Sequence, residues 1–218
     1  MQHSIASNGA VVVARQRELL REKYRQFIEP GERYALVDFP DHSNVDDSAI
    51  WLGELALLHE ITGRFPSYVC SREDYDGDAL KKSVPDGPIF SHGGSNNCAA
   101  DLVPDAALGL GNLEAPHCPV MEVFCLLRTD LETSGTDHKV LRDAGYEIDD
   151  RPHGHIPCTL MGKPHVALDN SYGKVSGYWD NWHRGVNNVH SAHSIDEVVP
   201  VLSEFGLAKT ANKITPRL

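Results

Sequence analysis

The sequence predicts an α/β fold built on parallel sheets, with two sheets along the chain. The first observation is that short apolar β-type runs alternate with helix-type segments, as in parallel sheets with helical crossovers. The second is that some runs, such as VMEVFCLLR at 120–128, are apolar throughout, as strands covered on both faces are. In such folds ligands bind at the carboxyl ends of the strands.

The first half of the chain predicts three helices and three strands in alternation. Val13, Leu20 and Phe27 recur at helical spacing in an amphipathic segment that ends before Pro30. Short β-type runs and helix-type runs then follow one another, separated by polar turns. The expected helices cover residues 10–28, 48–62 and 78–84, and the expected strands cover 33–39, 67–71 and 87–94.

The second half begins after a stretch rich in Gly, Pro and Asn. This stretch, residues 95–118, predicts a boundary or linker, so we expect domains over 1–112 and 113–218. Ser194 and Glu197 have the spacing of a capping box at a helix start. The expected strands are 120–128 and 164–170, and the expected helices are 137–145, 154–162 and 194–205.

Composition and charge exclude several classes of function. The 218 residues are 41% hydrophobic and 23% charged, which is typical of a soluble globular protein. A net charge of −11 argues against general binding to nucleic acid or to an anionic membrane. We expect no membrane span and no secretory signal, because the sequence has neither apolar pattern. Five scattered cysteines without a CxxC pair indicate reduced thiols, so we expect a cytoplasmic protein.

Polar clusters follow the predicted strands. Residues 44–47 follow the first strand, 92–96 the third and 128–130 the strand at 120–128, and residues 151–155 precede a helix in the same way. Because the carboxyl ends of parallel strands share one edge of a sheet, these clusters are candidates for a site.

The segment RPHGHIPC, residues 151–158, predicts an anion site at a helix start. Pro152 favours an extended residue before it, and Pro157 is tolerated only in the first helical turn. Free backbone N–H groups at a helix start attract anions, and Arg151 would reinforce that attraction. His153 lies at or near the N-cap, where a histidine can move a proton near neutral pH.

Ordinary explanations of the same residues stay open. Histidines near a helix start are often caps or surface residues, and the Gly93-Gly94 pair can be a simple turn. Asp47 can be a helix cap, as can Ser48. The histidine spacing does not match a zinc helix, so we expect no metal. The sequence contains no GxGxxG, GKS/T or GxSxG motif.

Five blocks of the sequence together resemble the polysaccharide pyruvyl transferase family, and their order matches. The last block is the most specific, because the family shows an Arg-Leu-His-Gly-His motif there, followed by Asn-Ser-Tyr-Gly-Lys. The blocks are LVDFPDHSNVDDSAIWLGELALL (36–58), GPIFSHGGSN (87–96), LVPDAALGLG (102–111), CLLRTDLE (125–132) and RPHGHIPCTLMGKPHVALDNSYGKVSGYWDNW (151–182).

The resemblance implies two Rossmann-like domains facing a cleft, as in GT-B glycosyltransferases, both abbreviated because the blocks follow one another closely. It implies transfer of pyruvate from phosphoenolpyruvate to a hydroxyl pair of a surface or exopolysaccharide sugar, forming a ketal. Phosphoenolpyruvate is the donor substrate, and no cofactor is implied. The acceptor is a saccharide or a lipid-linked saccharide, which would allow peripheral association with the inner membrane face.

The resemblance also assigns roles on the donor side. His153 matches the family's motif histidine, the proposed acid/base, and Arg151 precedes it as the motif arginine, although Pro152 replaces the motif leucine. Arg128 matches a second basic position suited to phosphoenolpyruvate. Lys174 would assist, and His155 would orient or donate.

On the acceptor side, the resemblance assigns Asn44 and Asp47 to a loop that faces the cleft. Gly93, Gly94 and Asn96 match the family's glycine-rich turn. Two alternatives to this transfer stay open. A non-catalytic relative would bind a sugar or a partner enzyme without turnover. A GT-B-like glycosyltransferase would bind a nucleotide sugar instead of phosphoenolpyruvate.

Overall fold

The computed structural model describes residues 6–42, 45–91, 103–113, 124–126, 147–149, 155–169 and 173–204. The fold is mixed α/β, and every strand pair in the described residues is parallel. Two compact units are present: one comprises Val11–Asn112, and the other comprises Met1–Ala10 with Leu113–Leu218. The α/β class with parallel sheets is therefore confirmed, whereas the GT-B-like pair of Rossmann-like domains stays a prediction.

The first unit contains a three-stranded parallel sheet with β1 at its centre. Its strand order is β2-β1-β3, and Leu36 of β1 lies opposite Val69 and Phe90. Tyr34 and Leu36 are fully buried. The elements are α1 (Ala6–Tyr24), β1 (Ala35–Phe39), α2 (Val45–Thr62), β2 (Tyr68–Ser71), α3 (Gly77–Ser83), β3 (Ile89–Ser91) and a 3-10 helix (Ala106–Leu110). The residues of α1 up to Ala10 are counted in the other unit.

The sheet order bears on the candidate acceptor side. β1 and β3 are neighbouring parallel strands, so their last residues, Phe39 and Ser91, lie at the same edge. The segments that contain Asn44 and Gly93 follow these two strands in the sequence. An edge where connections leave neighbouring strands in this way is the usual ligand position in an open parallel sheet.

Residues 103–113 differ from the expected linker, because they contain packed structure. Ala107 and Leu108 of the 3-10 helix are buried. Two glycines bring this helix close to α2: a Cβ added at Gly53 would overlap the carbonyl oxygen of Ala106 and lie 2.8 Å from the Cα of Ala107. Turn-type composition indicated a linker here, but small residues also permit close backbone packing.

The start of α2 corrects a second expectation. The helix begins at Val45, so Asp47 lies in its first turn and neither Asp47 nor Ser48 is the N-cap. The carboxylate oxygen Oδ2 of Asp47 lies 3.5 Å from Nε2 of His42. α1 ends at Tyr24, earlier than predicted, and this leaves Phe27 exposed.

The second unit is built from short elements. β4 (Phe124–Leu126) pairs with β5 (Glu147–Asp149), and β6 (His165–Leu168) pairs with β7 (Val189–Ala192). The predicted helix at 137–145 lies outside the described residues. The remaining elements are α4 (His155–Leu160), β6 (His165–Leu168), α5 (Lys174–Tyr178), a π-helical turn (Trp179–His183), β7 (Val189–Ala192) and α6 (Ile195–Glu204). Among the described helices, none has the length and apolar content needed to cross a membrane.

A buried carboxyl group lies between α1 and α2 in the first unit. The Tyr24 hydroxyl donates a hydrogen bond to Oε1 of Glu54 at 2.9 Å, and Glu54 is 9% exposed. Burial raises the pKa of Glu54 to about 7, and the charge of Asp105 adds to the rise, although the bond from Tyr24 opposes it. Glu54 is therefore partly protonated at neutral pH.

The replacement Glu54→Gln is expected to stabilise the protein at pH 8 by about 1 to 3 kcal/mol. The pKa of Glu54 is higher in the folded state than in the unfolded state, so its ionisation lowers stability as the pH rises from about 4.5 to about 7. Glutamine keeps an acceptor for Tyr24 without a charge. Urea unfolding at pH 8 and pH 5 measures the gain, which should fall to less than about 1 kcal/mol at pH 5; an equal gain at both values would refute this explanation.

Candidate functional site

Three histidines of the second unit form a continuous hydrogen-bonded chain. Nδ1 of His155 lies 2.9 Å from Nε2 of His165, and Nε2 of His155 lies 2.9 Å from Nδ1 of His183. Nδ1 of His165 lies 2.8 Å from the carbonyl oxygen of Lys163. We call His165, His155 and His183 the histidine chain. Its central member, His155, belongs to the RPHGH segment that the sequence singled out.

Each member of the histidine chain lies at the end of a short element. His155 is the first residue of α4, and the helix tolerates Pro157 because Pro157 lies in its first turn. His165 opens β6, and His183 closes the π-helical turn that follows α5. π-Helical turns occur frequently at functional sites. Here the turn carries His183 to the ring of His155, 28 residues earlier in the sequence.

The hydrogen bonds fix the tautomer of every ring. The carbonyl oxygen of Lys163 can only accept, so Nδ1 of His165 carries a hydrogen and donates it. When His165 is neutral, its Nε2 is an acceptor, and His155 must therefore donate from Nδ1. The same reasoning makes His183 donate from Nδ1 to Nε2 of His155. All three neutral rings are thus Nδ1–H tautomers.

Burial keeps the three rings neutral. It lowers the pKa of His165 to about 4, although the bond to the Lys163 carbonyl opposes this, and it lowers the pKa of His183 to about 4. The pKa of His155 is also well below its usual value, first because of burial and then because of the neighbouring rings. Tyr178 lies edge-on to the rings of His155 and His183, with ring centroids 5.7 and 5.0 Å away, and contributes to this burial.

Acidification is expected to destabilise the protein through these rings. Their pKa values are lower in the folded state than in the unfolded state, so the unfolded state binds more protons between about pH 6.5 and about 4. The stabilisation is complete above about pH 6.5 and is lost as the pH falls. In the unfolded state each ring binds its own proton, whereas the folded rings stay largely neutral at pH 5, so we expect a loss of about 2 kcal/mol per ring between pH 7 and pH 5.

The measurement needs the Glu54→Gln background, because Glu54 changes stability in the opposite direction over the same pH interval. Urea unfolding of this variant at pH 7 and pH 5 gives the acid-dependent loss. Adding His183→Gln should reduce that loss, whereas adding His59→Gln, at an exposed position of the first unit, should not. An acid dependence that is the same with and without His183 would contradict the assignment.

The structure describes only some of the predicted site residues. Both ring nitrogens of His155 bond to other histidines, so the described role of His155 is to link them, and its contact with a substrate stays a prediction. Lys174 is the first residue of α5, and Asp47 lies in the first turn of α2. The predicted site residues outside the described part are Asn44, Gly93, Gly94, Asn96, Arg128, Arg151 and His153.

Sequence reasoning missed two members of the histidine chain and one structural carboxylate. His165 and His183 gave no spacing signal, since they lie 10 and 28 residues after His155. Oδ1 of Asp169, at the end of β6, accepts the backbone N–H groups of Val175 and Ser176 at 3.1 and 3.2 Å. Asp169 therefore fixes the start of α5, the helix that leads to His183.

The geometry of the histidine chain suits the passing of a proton from ring to ring. The ring nitrogens of the histidine chain point at one another in sequence instead of converging on one point. Within the described ranges, no group of three or more His, Cys, Asp or Glu side chains is arranged to hold a metal ion. The described thiols, Cys70 and Cys158, are both free.

Comparison with known proteins identifies partial relatives. "Pyruvyl transferase 1" of Schizosaccharomyces pombe is 34% identical over 95 residues, which cover 41% of this chain and 23% of that protein. "Putative pyruvyl transferase EpsO" of Bacillus subtilis is 47% identical over 36 residues, which cover 16% of this chain and 11% of that protein. No protein-family model matches the chain. The chain is therefore related to pyruvyl transferases over part of its length, and the matches span less than a quarter of either relative.

Proposed function

We propose that this chain transfers pyruvate from phosphoenolpyruvate to two hydroxyl groups of a saccharide, forming a ketal. The observation that carries the proposal is the similarity to two proteins named as pyruvyl transferases. The segment from Arg151 to Lys174, with its arginine, histidines and lysine, supports it independently, because these groups suit an anionic donor and a proton transfer.

The reaction makes three demands on the protein. An acid must protonate the methylene carbon of phosphoenolpyruvate, which creates an oxocarbenium-like centre at the neighbouring carbon. One sugar hydroxyl then adds to that carbon, and a second displaces phosphate to close the ketal. The two hydroxyls lose two protons: one restores the acid, and the other leaves with phosphate. Cationic groups must hold the carboxylate and the phosphate while charge moves between them.

Residues of the second unit meet these demands in the proposal. His153 is the acid that protonates the methylene carbon and the base that recovers a proton. Arg151 and Arg128 hold the carboxylate and the phosphate, because a guanidinium group binds such anions through two parallel hydrogen bonds. Lys174, at the start of α5, adds a further positive charge. His155 orients this segment through the histidine chain.

The acceptor side belongs to the first unit in the proposal. Asn44 and Asp47 follow β1, and Gly93, Gly94 and Asn96 follow β3. The adjacency of β1 and β3 supports this grouping, because both segments leave the same edge of the sheet. Amide and carboxylate groups at such an edge suit the hydroxyl groups of a sugar. The acceptor is a saccharide or a lipid-linked saccharide, and the proposed location is the cytoplasm.

The direct test is phosphate release from phosphoenolpyruvate in the presence of galactoside and glucosamine-type acceptors. The proposal expects release that depends on the acceptor, together with a ketal methyl signal in the product NMR spectrum. Calorimetric titration separates the alternatives. Binding of a nucleotide sugar without binding of phosphoenolpyruvate would favour a glycosyltransferase. Binding of a saccharide without turnover by folded protein would favour a non-catalytic relative.

A further inference from the structure

One end of the histidine chain, the closed end, is hydrogen-bonded to a backbone carbonyl. The other, which we call the open end, has no hydrogen-bond partner among the described residues. At the closed end, the carbonyl oxygen of Lys163 accepts the hydrogen of His165 Nδ1. At the open end, Nε2 of His183 is buried and has no hydrogen-bond partner among the described residues, and His183 is 0% exposed. Since all three rings are Nδ1–H tautomers, this Nε2 carries a lone pair. A buried acceptor without a donor costs about 1 to 3 kcal/mol, so its retention calls for a reason.

We propose that the histidine chain is a one-proton relay, with Nε2 of His183 as the entry and His165 as the storage position. A proton bound at Nε2 of His183 allows Nδ1 of His183 to release its hydrogen to Nε2 of His155. His155 then releases its Nδ1 hydrogen to Nε2 of His165. Including the entry step, three N–H bonds form and two break, so one proton is gained in all.

The arrangement favours His165 as the position of the charge. After both transfers, His165 is an imidazolium whose Nδ1–H still donates to the carbonyl oxygen of Lys163, and a hydrogen bond from a charged donor is stronger than one from a neutral donor. His155 and His183 are then neutral Nε2–H tautomers, so every hydrogen bond between rings is kept with its direction reversed.

The described neighbours of the histidine chain do not favour a charged ring. Among the described residues, no carboxylate is hydrogen-bonded to the histidine chain. The titratable groups near it are Tyr178, whose ring packs on His155 and His183, and Cys158 of α4. Burial raises the pKa of the Cys158 thiol, and the charge of Lys163 acts in the opposite direction. The Cys158 thiol is therefore neutral at pH 7, and proton uptake falls to the imidazoles.

The role of the relay in catalysis rests on the proposed function. Pyruvyl transfer exchanges protons with its substrates, because the methylene carbon gains one and the two hydroxyls lose two. His155 is two residues after His153, so the relay adjoins the proposed acid in the sequence. His183 and His165 are positioning residues in this scheme: they hold or return a proton without touching the substrate.

Side-chain nitrogen NMR tests the relay without any substrate. At pH 7.5, the full chain should show three neutral histidines protonated at Nδ1 and not at Nε2. On acidification, the Nε2 signals of all three should change together as one proton is bound. The replacement His59→Gln, at an exposed position of the first unit, serves as the control and should leave these three signals unchanged. Nε2–H tautomers at pH 7.5, or three independent titrations, would overturn the relay.

The pH profile of kcat/KM for phosphate release tests the catalytic role. The replacement His183→Gln should lower kcat/KM by about tenfold on one limb of the profile, whereas His59→Gln should not change it. An equal loss at every pH would indicate a structural role and reject the relay's part in catalysis. If the wild-type chain releases no phosphate, the proposed function fails, and the NMR result still decides whether the relay exists.

Discussion

Replacing His153 by alanine is expected to lower the rate of pyruvyl transfer by about 100-fold or more, which is the usual contribution of a general acid. Protonation of a carbon atom is difficult, and alanine supplies no proton at that position. The expected loss falls on kcat, because the imidazole acts in the proton-transfer step rather than in holding the anionic groups of phosphoenolpyruvate. Steady-state phosphate release at saturating phosphoenolpyruvate measures it.

Two matched variants make this result specific. His59→Ala removes an exposed histidine of the first unit and should leave the rate unchanged. Arg151→Lys keeps the positive charge but loses the planar fork, so it should raise KM for phosphoenolpyruvate more than it lowers kcat. Unchanged turnover in His153→Ala would remove the proposed acid, while the relationship to pyruvyl transferases would remain.

Local patterns predicted the elements of the first unit well. The strand that ends at Phe39 and the helix that ends at Thr62 were identified because each has a local hydrophobic pattern that can be read from consecutive residues. Their parallel arrangement followed from the alternation of the two types. Boundaries were less accurate, and the early start of α2 at Val45 changed the role of Asp47 from a cap to a first-turn residue.

The sequence could not predict contacts that depend on tertiary structure. The histidine chain joins His155 to residues 10 and 28 positions later, and no periodic pattern connects them. β7 also escaped prediction, since VHSA is a short run with only one strongly apolar residue, Val189. Its pairing with β6 compensates for this weak local preference.

The contact between α2 and the 3-10 helix is another feature that the sequence could not predict, because it depends on how closely two backbones pack. The glycines at positions 53 and 109 belong to a region that composition alone marks as flexible or as a helix interior. Because these glycines have no side chain, the backbones of α2 and the 3-10 helix can come into contact. A Cβ at Gly109 would overlap the carbonyl oxygen of Gly53. A hydrophobic pattern records which residues are buried but not how closely two backbones approach.

Replacing Gly53 by alanine is therefore expected to destabilise the first unit by about 3 kcal/mol or more. Two effects oppose each other. Alanine favours a helix over glycine by about 1 kcal/mol, whereas overpacking typically costs about 1 to 3 kcal/mol and more when rigid groups collide. Here the new Cβ would meet the backbone of Ala106 and Ala107, which cannot turn aside as a side chain can. Packing outweighs helix preference, so the sign is destabilising.

Urea unfolding of the full chain measures this loss, with Gly77→Ala as the control in the same unit. Gly77 begins α3, and a Cβ there would meet only the Tyr75 ring and hydroxyl, at 3.5 Å or more. That variant should change stability by no more than about 0.5 kcal/mol. Gly109→Ala tests the same contact from the 3-10 helix and should be destabilising as well. If Gly53→Ala were as stable as Gly77→Ala, the two backbones could not lie as close as the structure shows, and residues 103–113 would be better described as the linker that their composition indicated.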